Sequence, residues 1–389
     1  MDIYNLHIVA GPADIRTSSR ILKETKSLMD LGLCTKIDIL ARWEPGYEAV
    51  EIIDENRKII RIKSTSTKRN KTSYNELLKY TSFLKSAQKF IRSRKYQFIN
   101  VHSLHVLPIG VALKLKNGGA LIYDAHELET EVAGSSGMKR ILAKMAERLL
   151  IKFVDELIVV SPLIAEWYKK EYGIQKVTVI RNIPYNEALP AQHDNILKKE
   201  FNIPEGDILF LYQGVISEVR GCHKVLSVFK KLPENYHILF MGFGPMEHEI
   251  KSASEINLNI HYKSAVPSSE VKNYTRTADI GIHFINVDGI LNHQYCLPNK
   301  FFEYLLNGLP VLVNSKAEEM AAIVNEHKVG FLIDTDEFNE EKIVEYIKSI
   351  SKKAIKEAKE NLHSYINSLG WEIEAVQYKK IYEKYLKEL

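Results

Sequence analysis

The chain has 389 residues, enough for two domains with their own cores, and its 45% apolar content is that of an ordinary globular protein. A net charge of +4 is too small to imply a nucleic-acid partner. Three widely spaced cysteines, Cys34, Cys222 and Cys296, argue against a disulfide framework or a zinc site and suit a reducing, cytoplasmic setting.

In chain order, NLHIVAG (5–11) reads as a buried strand, followed by a helical stretch from Ser18 to Leu31. The opening lacks the pattern of a signal peptide, and no window approaches the ~20 apolar residues of a spanning helix. CTKIDILAR (34–42), YQFINVHS (96–103), GGALIYDAH (118–126), DELIVVS (155–161) and KVTVIRN (176–182) continue a strand–helix alternation. Such alternation predicts parallel β-α-β units. IPYNEALPAQHDN (183–195) reads as a linker. The rhythm restarts with DILFLYQG (207–214), YHILFMG (236–242), LNIHYKSA (258–265), ADIGIHFI (278–285), LPVLVN (309–314) and VGFLID (329–334). The expected fold is therefore α/β, with two Rossmann-like domains facing across a cleft, over 1–183 and 184–365, and a charged C-terminal helix over 366–389. Ligands in such sheets bind outside the carboxyl ends of the strands.

YCLPNKFFEYLLNGLPVLVN (295–314) is the most informative segment. Pro298 suits the first position of a helix. The amides of Asn299 and Lys300 would then sit at the positive end of a helix dipole, where a phosphate binds, and Lys300 adds a full charge. Glu303, one turn on, is placed to accept from ribose hydroxyls. Pro298 as a plain helix start and Glu303 as a solvated side chain are the bland alternatives. Arg220, between Gly214 and Gly221 after a strand, is a phosphate-binding candidate, against a surface arginine. MGFGPMEHEI (241–250) resembles half of a dinucleotide fingerprint, but Glu247 stands where a third glycine is needed, which argues against NAD.

These segments resemble the donor domain of glycosyltransferase family 4, retaining enzymes of the GT-B fold. The resemblance extends through LYQGVISEVRGCHKVL (211–226), KSAVPSSEVKNYTRTADIGI (263–282) and the terminal WEIEAVQYKKIYEKYL, which resembles the helix that crosses back to the first domain. It implies a nucleotide-diphosphate sugar as donor substrate, with UDP favoured over GDP, and neither cofactor nor metal. It implies that Arg220 and the 298–300 amides hold the diphosphate, Glu303 the ribose, and the backbone near Val266 the base. Two positions depart from the family pattern. Tyr295 replaces the first of two glutamates, and Val215 replaces an arginine, a loss that Lys300 is expected to offset in part.

In the first half, Gly11 begins a GPADIRTSSR loop that resembles the family's glycine loop near donor phosphate and acceptor, with Arg16 able to assist; a tight turn is the alternative. YDAHELETEVAG (123–134) resembles the family's D-x-H-E sequence, which makes His126 the first catalytic candidate, with Arg220 and Glu303 on the donor side. Asp124 and Glu127 would support His126, while His102 and His105 would shape the acceptor site. No Asp or Glu set is evident beside the H-S-L-H pair, and Asp334-Thr335-Asp336 reads as helix capping, so no metal is expected. Arg57 to Lys95 holds thirteen cations against one acid, Glu76. Within it, residues 75–96 read as a cationic amphipathic helix able to lie on an anionic bilayer, or as a helix packed on the sheet. A saccharide or lipid-linked saccharide acceptor in bacterial surface polysaccharide synthesis would suit the former. A nucleotide-sugar epimerase on the same fold, or a degenerate transferase acting as a partner subunit, are the competing functions.

Overall fold

A computed structural model describes residues 2–9, 15–17, 19–63, 82–83, 85–87, 95–187, 195–335 and 338–387. The chain divides into two compact units, Met1–Arg181 with Glu374–Leu389, and Asn182–Ile373. Gly11, Asp336 and most of the 75–96 segment lie outside the described residues.

The first unit carries strands β1 (Tyr4–Ile8), β2 (Lys36–Arg42), β3 (Val50–Ile52), β4 (Arg57–Ile62), β5 (Phe98–Val101), β6 (Ala120–Ala125), β7 (Glu156–Val159) and β8 (Val177–Val179). They form one sheet in the order β3-β4-β2-β1-β5-β6-β7-β8. All neighbours are parallel except β3 and β4, which pair antiparallel, Val50 opposite Ile60. This edge hairpin departs from the all-parallel expectation. The short β3 is too polar and exposed to register as a buried run, and only pairing with β4 makes it a strand. Arg57 and Arg61 of β4 are spent locally, on Asp54 at 2.7 Å and Glu51 at 2.7 Å, so the basic stretch begins with paired cations.

The second unit carries β9 (Ile208–Val215), β10 (Tyr236–Phe243), β11 (Ile260–Ser264), β12 (Ile280–His283), β13 (Val311–Asn314) and β14 (Gly330–Ile333). The sheet is parallel throughout, ordered β11-β10-β9-β12-β13-β14. Runs such as ILFL and HILFM are buried along their length because helices cover both faces. One apolar cluster gathers around Phe301, Phe302, Tyr304 and Met320, and a second around Phe210, Phe229 and Phe240.

Both sheets reverse their strand order once, between β1 and β5 in the first and between β9 and β12 in the second. At such a reversal the loops leave in opposite directions and open a crevice at the carboxyl ends. Arg220, Lys300 and Glu303 collect at the second of these places, and His102, Asp124 and His126 at the first.

The last helix, Gln377–Leu386, packs with the first unit. The Tyr382 hydroxyl donates to Asn100 at 3.1 Å and accepts from Asn5 Nδ2 at 3.0 Å, on the middle strands β5 and β1. Glu374 accepts from the Arg181 guanidinium at 2.7 Å and from the Arg181 amide at 2.7 Å.

Candidate functional site

In the second unit, β9 ends in Gln213, Gly214 and Val215, and a short turn over Glu218–Arg220 leads into the helix Cys222–Phe229. Gly221, at φ 77°, is required by a close approach: a Cβ there would lie 1.7 Å from the Phe284 carbonyl oxygen, just past β12. Gly242 and Gly244 likewise lie against the backbones of Gly214 and Ile216, so the G-x-G-P turn is a packing device between adjacent loops. Gly214, at φ 110°, has open space on its Cβ side.

Pro298 is the N-cap of the helix Asn299–Leu306 and not its first residue; its extended ψ of 148° starts the helix one residue later than the sequence suggested. The amides of Asn299 and Lys300 have no earlier turn to bond to. The Lys300 ammonium lies 4.1 Å from the centre of the Tyr212 ring. Though the residue keeps some surface, burial of the ammonium and the charge of Arg220 push Lys300 down to about 7. Lys300 and Arg220 thus repel one another, with Glu303 as a nearby opposing charge, and an anion bound between the two cations would relieve that repulsion. Glu303, one turn on, accepts from Gln213 Nε2 at 2.6 Å, and Gln213 Oε1 accepts from Thr275 at 2.7 Å. The Gln213 amide donates to the Tyr304 hydroxyl at 2.9 Å. Gln213 and Thr275 therefore set the Glu303 carboxylate, and neither carries a motif that would single it out. His283, the last residue of β12, is fully buried, and neither ring nitrogen finds a partner outside its own backbone. Burial, Lys300 and Arg220 hold it well below its ordinary value, hence neutral.

Arg220, Lys300, Glu303, Gly214, Pro298 and Asn299 share this end of the second sheet. Val266 lies in the loop after β11, half-buried against the core. Val215 is exposed, and Tyr295 ends the short helix Leu291–Tyr295.

In the first unit the carboxyl ends of β1, β5 and β6 bring His7, His102, Asp124 and His126 into one chain. His7 Nδ1 is 2.9 Å from His102 Nε2, His102 Nδ1 is 3.3 Å from Asp124 Oδ2, and His126 Nε2 is 3.0 Å from the same oxygen. The consistent assignment has His102 and His126 both donating to Asp124, which leaves His126 Nδ1 as an acceptor on the half-buried side. The Arg20 guanidinium donates to both Asp124 oxygens at 2.8 and 2.7 Å, and to the Ile180 carbonyl at 3.0 Å. Burial opposes the charge on Asp124, but Arg20 and the two histidines overcome it and hold the carboxyl well below the usual range. Glu24, buried next to this pair, is driven the other way by burial and by Asp124. The two neighbouring carboxyls are thus shifted in opposite directions, each by its surroundings.

This corrects the expectation that no acid stands near the H-S-L-H pair. Glu24 and Asp124 both come within reach of His102, giving two three-residue groups, His7–Glu24–His102 and His102–Asp124–His126, that could meet at an ion. The sequence hides this because Glu24 and His7 are distant in the chain. His102 belongs to the network, whereas the His105 side chain is 73% exposed beside Glu129. Glu127 is exposed, and Arg16, itself exposed, pairs with Glu51. Of the Asp334-Thr335-Asp336 triplet, Asp334 and Thr335 do not cap the following helix. Asn339 does, accepting from the Lys342 amide at 3.1 Å, while Asp334 pairs with Lys316 at 3.2 Å.

The group 1 glycosyl transferase model matches residues 194–367, and the glycosyltransferase family 4 model matches residues 35–183. The chain belongs to the group 1, family 4 glycosyltransferases. This glycosyltransferase has the GT-B pairing of two α/β units. Sucrose-phosphate synthase from Thermosynechococcus elongatus superposes with a TM-score of 0.78 at 14% identity, over 100% of both chains. HepE of Anabaena, solved with UDP, gives 0.68 at 14% identity over 100% of both chains. WaaG, a glycosyltransferase involved in lipopolysaccharide biosynthesis, gives 0.65 at 15% identity over 97% of this chain and 99% of its own. At these identities the likeness is one of fold. No curated protein sequence matches the glycosyltransferase. Among its described residues no helix is long and apolar enough to cross a membrane.

Proposed function

We propose that the protein is a retaining transferase that moves a sugar from a nucleoside-diphosphate sugar, with UDP favoured, to a saccharide or lipid-linked saccharide in bacterial surface polysaccharide synthesis. The carrying observation is the meeting of Arg220 and Lys300 at the β9–β12 crevice with Glu303 one helical turn away. Two cations and the helix amides stabilise the diphosphate as it leaves, where negative charge develops. Glu303, aimed by Gln213, takes the ribose hydroxyls, and the backbone near Val266 faces the base. His126, with Nδ1 free to accept, orients the incoming hydroxyl and the donor sugar, while Asp124, Arg20 and His102 fix its ring. The departing phosphate takes the acceptor proton, so no strong protein base is required.

The first-unit carboxylate does not favour a metal. Both Asp124 oxygens already carry the Arg20 guanidinium, and a second cation there would face that charge at close range. The UDP bound to HepE and the lipopolysaccharide role of WaaG support the choices of donor and acceptor class.

Thermal unfolding with UDP, GDP, ADP and their sugars tests the donor. A ligand of the folded state raises the midpoint by mass action, and UDP is expected to raise it most. No response to any nucleoside diphosphate removes the proposal. NMR of the anomeric centre in the product then tests retention.

A further inference from the structure

His283 closes β12 without any exposed surface, and neither ring nitrogen has a side-chain partner. A buried imidazole left unpaired costs stability, so its presence calls for a reason beyond packing. Its position follows from the strand and helix geometry. Gly281 lies two residues earlier on the same face of β12, and a Cβ there would lie 2.6 Å from the Tyr304 ring. From Gly281 to His283 the strand rises ~6.6 Å, and from Tyr304 back to Lys300 the helix rises ~6 Å. The helix Asn299–Leu306 joins two parallel strands and so runs opposite to them. His283 therefore comes level with Lys300, beneath the first turn of that helix. Arg220 arrives from the other side, where Gly221 rests on the Phe284 carbonyl.

Three groups set the charge around the ring: Lys300 on the helix, Arg220 on the turn after β9, and His293 on the short helix Leu291–Tyr295. All three act against its protonation, as does burial. The neighbouring β13 faces His283 with Val313 in register, which carries no charge. Glu303, one turn along the helix, is engaged by Gln213 at 2.6 Å. The ring is thus neutral in the free protein. A diphosphate bound at Lys300 and Arg220 reverses the sign of the local field, and a protonated imidazole is then favoured. We propose that His283 is a positioning residue that takes up a proton from solvent when the donor diphosphate binds, so that a third positive charge forms beneath the phosphates only in the complex. The free protein is spared three mutually repelling cations, and the added charge is in place when the diphosphate leaves. This rests on the donor reading above and deepens it.

The full chain and its His283→Gln variant are titrated with UDP by calorimetry at about pH 6 and about pH 8, in buffers of different ionisation enthalpy. Glutamine stays polar and does not titrate, and protons exchanged by UDP itself cancel between the two proteins. At about pH 6 the wild type is expected to take up at least ~0.5 proton more than the variant and to bind UDP at least ~3-fold more tightly. At about pH 8 the two are expected to take up protons alike, because Lys300 is present in both. Should His283→Gln misfold, His283→Asn takes its place. Histidine-ring nitrogen NMR of the wild type reads the same event directly: the ring signals absent from the variant should pass from neutral to protonated values when UDP is added at about pH 6. UDP binding with equal uptake by wild type and variant, or with the His283 ring still neutral, overturns the proposal and leaves the donor reading standing. Weaker binding by the variant with unchanged uptake does the same and makes His283 a packing residue. Absence of binding by UDP and GDP alike removes both.

Discussion

A lysine whose charge is disfavoured in the free protein reports directly on what it binds. Between about 7 and its ordinary 10.5, folded Lys300 holds fewer protons than the unfolded chain, so this group makes stability rise with pH across that window. A bound diphosphate reverses the preference. Calorimetry of UDP binding at about pH 8 in buffers of different ionisation enthalpy should show uptake of close to one proton. In Lys300→Met the uptake disappears, and the donor KM rises or kcat falls by at least ~10-fold. Unchanged uptake places the titrating group elsewhere. In the first unit, Arg20→Met leaves the Asp124 carboxylate buried without its main partner and should cost about 3–5 kcal/mol in urea unfolding. The Asp124 contribution is present above its unfolded value of 3.8 and lost as pH falls through the lower folded value, so the variant should differ least from wild type at acid pH. His7 and His102 act with the opposite charge: burial lowers both, and stability declines as pH falls below 6.5.

Elements meet at the sites through glycines and short turns. Gly221 lets the turn after β9 rest on the backbone that follows β12, which is how Arg220 and His283 come to share a neighbourhood. Gly221→Ala meets that carbonyl and adds the strain of a left-handed φ. It should cost at least ~2 kcal/mol and weaken UDP binding, whereas alanine at the exposed Gly32, where nothing lies within 4 Å, should cost only the ~1 kcal/mol of the backbone conformation. Equal effects at the two positions would show that the contact is unimportant. The long buried strands could be read from apolar runs because each lies between two helical layers. The β3–β4 hairpin could not, because its partner strand, not its own pattern, makes β3 a strand. The Gly137–Leu150 helix carries an ordinary amphipathic pattern, and periodicity cannot tell which face turns outward.

At the scale of the molecule, the chain leaves the first unit at Arg181 and returns to it at Glu374, and these two residues bond to each other. The returning helix supplies Tyr378 and Tyr382 to the interior of the first unit. Tyr382→Ala removes a ring whose centre lies 4.4 Å from that of Phe98 and the bonds to Asn5 and Asn100. It should lower the stability of that unit by about 3–5 kcal/mol, read as an earlier unfolding transition, while UDP still stabilises the second unit. A lost UDP response would show that the second unit does not hold its fold once the first is weakened. Several features were already legible in the residues: the α/β class, the strand series, and the loop and helix that carry Arg220, Lys300 and Glu303. These depend on local periodicity, turn chemistry and near-neighbour spacing. The partners that make the sites work are another matter. Gln213 aims Glu303, Arg20 and His7 hold Asp124 and His102, Glu24 is pushed up beside an Asp124 held down, and three tyrosines donate to Glu147. Only the tertiary structure decided these, because each depends on the order in which parallel strands lie side by side, and strand order brings together residues far apart in the chain without any mark in local sequence.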